Sequence, residues 1–338
     1  MTWTRRWLLC VAAMPGLGLP AVAQPEKTAS DKPASPLVTA IWYAHQNASP
    51  DVLVPSNDRA LKVALTLALR DKAGFSPAVG DEADRRILKG IVGNRPLLTR
   101  ENMETAVRNA TPATRGRLND KTRRHADLLT TQFDMIEARH HEGIGELASW
   151  VTKNYQAGKP LGVVVVCTGN SRRSILGATM GNIAAAYYGL PDLRFYSGGT
   201  KPSAFNLRTV AALREIGVDV EATGNEAPRG GAGEVNPAYR VRWGTNMETT
   251  EYSKLYSDAA NPQSNFAAVL VCSEADASCP TVRGASKRIA VPYEDPKAYD
   301  GAAFEAAKYA ERRDDMGRLM MSVAMQARRL IGVQSSPK

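Results

Sequence analysis

The spacing of apolar positions changes character near residue 161. Before it, over 37–160, apolar residues recur at mixed three- and four-residue intervals. Ala60, Leu61, Val63, Ala64, Leu65, Leu67 and Ala68 follow Asp58 and end at Gly74. That is the stripe of a helix packed against neighbours, with an N-cap and a glycine stop. Further helices are expected over 81–92 and 100–110. A longer one carries Leu118, Leu128, Leu129, Phe133 and Ile136, breaks near Gly143 and resumes through Ile144, Leu147, Val151 and Tyr155. After 161, short continuous apolar runs alternate with helical stripes. Residues 163–166 are all valine, the pattern of a parallel strand covered on both faces. Residues 193–196, 266–271 and 288–291 read as three more strands. Between them, Leu176, Met180, Ile183 and Tyr187 share one helix face stopped by Gly189 and Pro191, and a second helix over 206–216 is closed by Gly217. Met316, Met320, Val323, Ala327 and Leu330 stripe a last helix, expected to pack against the sheet. The predicted fold is α/β: a four-stranded parallel sheet with flanking helices over 161–332, preceded by a mostly helical region over 37–160.

The first residues follow a different logic. Arg5 and Arg6 precede the apolar stretch 7–13, and Ala21-Val22-Ala23 stands before Gln24. This reads as a signal peptide cleaved after Ala23, too short to span a bilayer, so no membrane span is expected in the mature form. Residues 4–9 loosely resemble a twin-arginine signal, and the expected destination is the periplasm or the exterior. Residues 24–36, rich in Lys, Ser, Pro and Asp, read as a disordered linker. The 338 residues, 43% of them hydrophobic, suffice for one sizeable core and a smaller module. Cleavage removes two positive charges and no negative ones, taking the formal net charge from +9 to +7. That balance suits an anionic substrate; in an exported protein, nucleic acid is discounted as a partner. Cleavage also removes Cys10 and leaves Cys167, Cys272 and Cys279, an odd number that no fully paired disulfide framework accommodates.

The candidate chemistry gathers where the valines end. Cys167 closes the run, and Thr168, Gly169, Asn170, Ser171 and Arg172 lead to a helical pattern opening at Arg173 and Ser174. A glycine-bearing loop between a strand and a helix turns backbone N–H groups toward the space before the sulfur, which makes an anion cradle. A thiol there, beside a guanidinium, is expected to act as a nucleophilic thiolate. Arg173 would grip two oxygens of a tetrahedral anion through its planar fork. Elsewhere the chain offers less. His125, His140 and His141 contain no pair three or four residues apart, so no metal site is expected, and no cofactor. Arg115, Arg117, Lys121, Arg123 and Arg124 read as a solvated face. Residues 223–262, rich in Gly, Pro, Asn and Tyr, read as a surface insertion near the site or at an edge. Tyr239, Trp243, Tyr252 and Tyr256 either pack this insertion onto the domain or form a substrate wall.

Cysteine, five residues, arginine, serine: this pattern resembles the low-molecular-weight protein-tyrosine-phosphatase superfamily, which includes the thioredoxin-coupled arsenate reductases. The resemblance covers 161–332 and leaves the helical region and the insertion without a counterpart. It extends to Ser197-Gly198-Gly199-Thr200, where the family has a Ser-Ala-Gly-Thr turn close to the phosphate loop. It implies a general acid at Asp295 of the Asp295-Pro296 pair, with Glu294 as the fallback. Cys272 and Cys279 resemble the second and third cysteines of the reductases, a candidate redox relay; two buried thiols or a static disulfide are the alternatives. In a continuous helix their alpha carbons would stand roughly 10 Å apart, so pairing them needs that turn to melt. Arg172 departs from the family, which often has a second cysteine there. The implied function is a cysteine-dependent phosphatase acting on a phosphorylated substrate. The alternatives are an arsenate reductase that takes a small oxyanion and a thioredoxin-like reductant, and a module that binds phosphate without turnover.

Overall fold

The computed structural model describes residues 112–130, 132–231, 233–273 and 282–334, all within one compact unit, Pro36–Lys338. The expected signal peptide, the linker, the helices through residue 110 and Cys279 lie outside the described residues.

Along the chain come α1 (Ala113–Gly116), α2 (Asp120–Leu129), α3 (His141–Asn154), β1 (Leu161–Cys167), α4 (Arg173–Tyr187), β2 (Leu193–Gly199) and α5 (Leu207–Glu215). Then follow β3 (Asp219–Glu226), β4 (Pro237–Gly244), β5 (Met247–Glu251), β6 (Phe266–Leu270), β7 (Ala285–Ala290) and α6 (Glu305–Gln334). The sequence-read strands and helices after 161 are all present. The fourth strand begins three residues earlier than its apolar run suggests, at Ala285 instead of Arg288, because the edge strand β7 pairs along polar residues too.

Four strands form one parallel sheet in the order β2-β1-β6-β7. The valines of β1 are fully buried because that strand is paired on both sides, with Val165 opposite Ser197 of β2 and Val269 of β6. From β1 the chain steps outward to β2 and then returns past β1 to β6. The connections therefore diverge at the carboxyl ends of β1 and β6, the place where open parallel sheets bind ligands. Cys167 ends β1, and Cys272 stands two residues past β6.

The segment read as a surface insertion holds a second sheet. β3, β4 and β5 form an antiparallel meander that begins at Asp219, four residues before the segment read as the insertion. Val241, Tyr239 and Trp243 of β4 are buried, and Tyr239 packs edge-on against Phe205 with ring centroids 5.0 Å apart. These two aromatics pack the insertion onto the domain. Hairpin pairing over short alternating strands is a weak pattern in a Gly- and Pro-rich stretch, so composition hid it.

Two helix expectations need correction. The longer helix expected through Leu118 and Ile136 is α2 followed by two short 3-10 turns, and Gly143 lies inside α3 without breaking it. A Cβ at Gly143 would collide with the Val291 side chain, so this glycine marks close packing against the end of β7. Residues 118–151 also share one hydrophobic core with the sheet strands, so the described part of the helical region is continuous with the sheet domain. The last helix, α6, packs against α4 and α3, its Met316, Met320, Val323 and Ala327 join the same hydrophobic core as the sheet strands, and Leu330 at its end is 44% exposed. Among the described residues no helix is long and apolar enough to cross a membrane.

Candidate active site

The loop between Cys167 and Arg173 is pinned from outside by its carbonyls. Thr200 N donates to the Cys167 carbonyl at 3.1 Å, Lys201 N to Thr168 at 2.8 Å, Ser203 N to Gly169 at 3.1 Å and Asn206 N to Ser171 at 3.2 Å. The Ser253 hydroxyl adds a bond to the Gly169 carbonyl at 2.9 Å, and Thr209 adds one to Ser171 at 3.2 Å. With these oxygens engaged outward, the N–H groups of the loop and of the first turn of α4 are the backbone groups left to serve an anion. Gly199 makes the approach possible, since a Cβ there would stand 2.7 Å from the Thr168 oxygen and 2.9 Å from the Asn170 nitrogen.

Asn170 turns the loop. Its φ of +42° lies in the left-handed region, which asparagine tolerates better than most side chains. Its fully buried amide accepts from Lys254 N at 2.8 Å and donates to Ser174 Oγ at 2.8 Å. Ser174 Oγ in turn lies 3.1 Å from the Cys167 sulfur. Because the serine oxygen accepts from Asn170, its own proton is available to the sulfur and stabilises negative charge there.

Arg173, the first residue of α4, is buried. Its Nη1 donates to the Tyr293 carbonyl and its Nη2 to Asp295 Oδ2, both at 2.8 Å, and its buried Nε has no hydrogen-bond partner among the described residues. Asp295 Oδ1 accepts from Lys297 N at 3.0 Å, capping the 3-10 turn Pro296–Tyr299. Asp295 is therefore the carboxylate beside the loop arginine, while Glu294 is exposed. His140 supports this segment from below: its Nε2 lies 3.0 Å from the Pro292 carbonyl, and its ring centroid is 4.3 Å from that of Tyr293. Burial pushes the His140 imidazole below its ordinary value and the Tyr293 phenol far above its own, so both are held neutral.

Arg172 points elsewhere. Its Nε donates to the Tyr309 hydroxyl at 2.7 Å and its Nη2 to Asp300 at 3.3 Å, while Tyr309 donates to Asp300 at 2.7 Å. Burial, with Asp300 adding to it, pushes the Tyr309 phenol up to about 12. This charge tethers the loop to the start of α6. Cys272 is buried, and its sulfur lies 3.5 Å from Thr168 Oγ1, so the end of β6 touches the loop. Of the other described histidines, His125 bonds Asp314 at 2.7 Å and His141 opens α3. Among the described residues no group of three His, Cys, Asp or Glu is placed to hold a metal ion.

The structure thus gathers Cys167, the loop, Arg173, Asp295 and Cys272 at one sheet edge. Sequence reasoning missed Ser203, Ser253, Lys254, Asp300 and Tyr309, which hold the loop without belonging to any local motif. Neither the protein-family models nor the curated proteins match this chain.

Proposed function

We propose that the protein is a cysteine-dependent phosphatase that hydrolyses a phosphomonoester through a phosphocysteine. One observation carries the reading: the Cys167 sulfur receives the Ser174 hydroxyl at 3.1 Å, at the mouth of a loop whose carbonyls are tied away from it and whose next residue is the buried Arg173. The sulfur attacks phosphorus, the phosphorus–oxygen bond to the alcohol breaks, and the departing oxygen takes a proton from Asp295. Water then attacks phosphorus, returns a proton to the Asp295 carboxylate, and frees inorganic phosphate and the sulfur anion. Arg173 and the loop amides bear the equatorial oxygens in both steps. Asp295 must leave Arg173 to carry the proton, and an oxyanion competing for the guanidinium provides that release.

A second reading has its own observation, the 3.5 Å contact between Cys272 and Thr168. In an arsenate reductase, Cys167 binds As(V). Attack by Cys272 on the Cys167 sulfur then forms the disulfide, and arsenic leaves as arsenite with the two electrons. Cys279 and a thioredoxin-like dithiol would regenerate the thiols. The phosphatase reading uses Asp295, for which thiol exchange has no need, and a periplasmic setting offers that dithiol less readily. A module that binds phosphate without turnover would need neither the sulfur nor the acid.

The test is acid-quenched turnover of an aryl phosphate followed by mass spectrometry of the Cys167 peptide. A phosphorylated cysteine is expected. Phosphate release with no such adduct, or no release at all, overturns the reading.

A further inference from the structure

We infer that a buried ion pair in the second sheet, Glu251 with Lys254, is a positioning device for the nucleophile. The inference rests on the phosphatase reading and adds to it residues outside every motif in the chain.

Lys254 Nζ lies 3.0 Å from Glu251 Oε2, with side chains only 3% and 6% exposed. The same carboxylate oxygen accepts the hydroxyl of Ser197, in β2, at 2.7 Å, and Lys254 Nζ reaches Ser197 Oγ at 3.4 Å. The ammonium also stands 4.8 Å above the Tyr252 ring. Two opposite charges so far from water cost desolvation energy, and a stable core does not require them: an apolar pair of similar volume packs as well or better. Their use is directional. Glu251 ends β5, and its bonds to Lys254 and Ser197 bind the chain leaving β5 to strand β2, next to Cys167's own strand.

That departing chain holds the catalytic loop at two points and the end of β2 at a third. Lys254 N donates to Asn170 Oδ1 at 2.8 Å, Ser253 Oγ donates to the Gly169 carbonyl at 2.9 Å, and Gly199 N donates to the Lys254 carbonyl at 2.8 Å. Asn170 passes the constraint to Ser174, and Ser174 to the sulfur. Asn236 anchors the segment from its other side, donating to the Ser253 carbonyl at 2.8 Å and accepting from Ser253 N at 3.0 Å. The ion pair thus sets the backbone position from which both the left-handed Asn170 and the outward Gly169 carbonyl are held. Loss of either charge lets Ser253 and Lys254 drift, and the loop amides lose their common focus.

The test compares the wild-type chain with Glu251→Gln, Lys254→Met and Ser253→Ala, and with Glu221→Gln as a control in an exposed ion pair of the same meander. Three quantities are read: kcat and KM on p-nitrophenyl phosphate, protection of Cys167 from iodoacetate by inorganic phosphate, and the thermal midpoint. The pair variants are expected to lose at least about tenfold in kcat at temperatures where they remain folded, and to need several times more phosphate for half-protection. The control should match wild type in both. Should the pair variants fail to fold, Ser253→Ala decides. It deletes a single hydroxyl and is expected to weaken phosphate protection about threefold or more. Folded pair variants within twofold of wild type in kcat and protection, or, failing their folding, Ser253→Ala within that margin, overturn the inference. A wild-type chain with neither turnover nor phosphate protection refutes the phosphatase reading itself, which is a separate outcome.

Discussion

Arg173 donates to Asp295 at 2.8 Å, so the group expected to bind the anion and the group expected to supply the proton are bonded to each other. The pairing spans 122 residues and joins the start of α4 to the segment after β7. It has a chemical consequence. Under the phosphatase reading, an oxyanion that draws the guanidinium away frees the Asp295 carboxyl to turn toward the leaving oxygen. On this reading, substrate binding and acid function are coupled through this one contact.

Replacing Cys167 with Ser is expected to cut aryl phosphate turnover by at least about a thousandfold while leaving the thermal midpoint near wild type, because the hydroxyl keeps the Ser174 contact and lacks the sulfur's nucleophilicity. Arg173→Lys should lose about a hundredfold, since an ammonium cannot bridge two oxygens. Steady-state kinetics beside a melting curve checks both; a Cys167→Ser variant with substantial turnover would refute the assignment.

Asp295→Asn should slow phosphate esters of poor leaving groups by about a hundredfold and those of good leaving groups far less. Measured across aryl phosphates of graded leaving-group acidity, the slope of rate against acidity should steepen. A uniform loss across the series would make Asp295 structural, and Glu294→Gln would be the next comparison.

Cys272→Ser separates the two enzymes. Under the phosphatase reading, aryl phosphate turnover survives this substitution and Cys279→Ser, and arsenate with a thioredoxin system consumes no reducing equivalents. Arsenite release coupled to thioredoxin oxidation, with a Cys167–Cys272 disulfide trapped in Cys279→Ser, would establish the reductase instead.

His140 links stability to pH. Burial lowers its folded-state value below the ordinary 6.5, so between the two values the unfolded chain binds a proton that the folded chain does not. Stability from this group is complete above pH 6.5 and declines as pH falls through the lowered value. Thermal midpoints followed from about pH 7.5 to about pH 5.5 should drop, and His140→Phe should flatten that drop. An identical slope in the variant would show that other groups carry it.

Gly199→Ala should destabilise the protein by about 1–3 kcal/mol, because the new methyl meets backbone of Thr168 and Asn170 that cannot move without shifting the loop. Turnover should fall with it. A variant as stable and active as wild type would show that β2 can retreat from the loop.

The strand, loop and helix around Cys167 were legible because each signal there is local. An unbroken valine run needs two covered faces, a glycine-bearing loop needs few side chains, and the stripe Leu176, Met180, Ile183 and Tyr187 repeats within one helix. The same holds for α5, where Asn206 caps the first turn by accepting from Arg208 N at 2.9 Å and Gly217 ends it at a φ of +85°. Tertiary structure alone decided the strand order, the meander within 219–251 and the attachment of residues 118–151 to the sheet core. It also decided what fixes the loop. Lys254 meets Asn170 across 84 residues, and nothing in the sequence near either residue specifies the other. Local patterns encode which backbone conformations a segment prefers. Long-range pairings depend instead on which buried surfaces fit once the segments are formed, and that choice belongs to the whole chain packing at once.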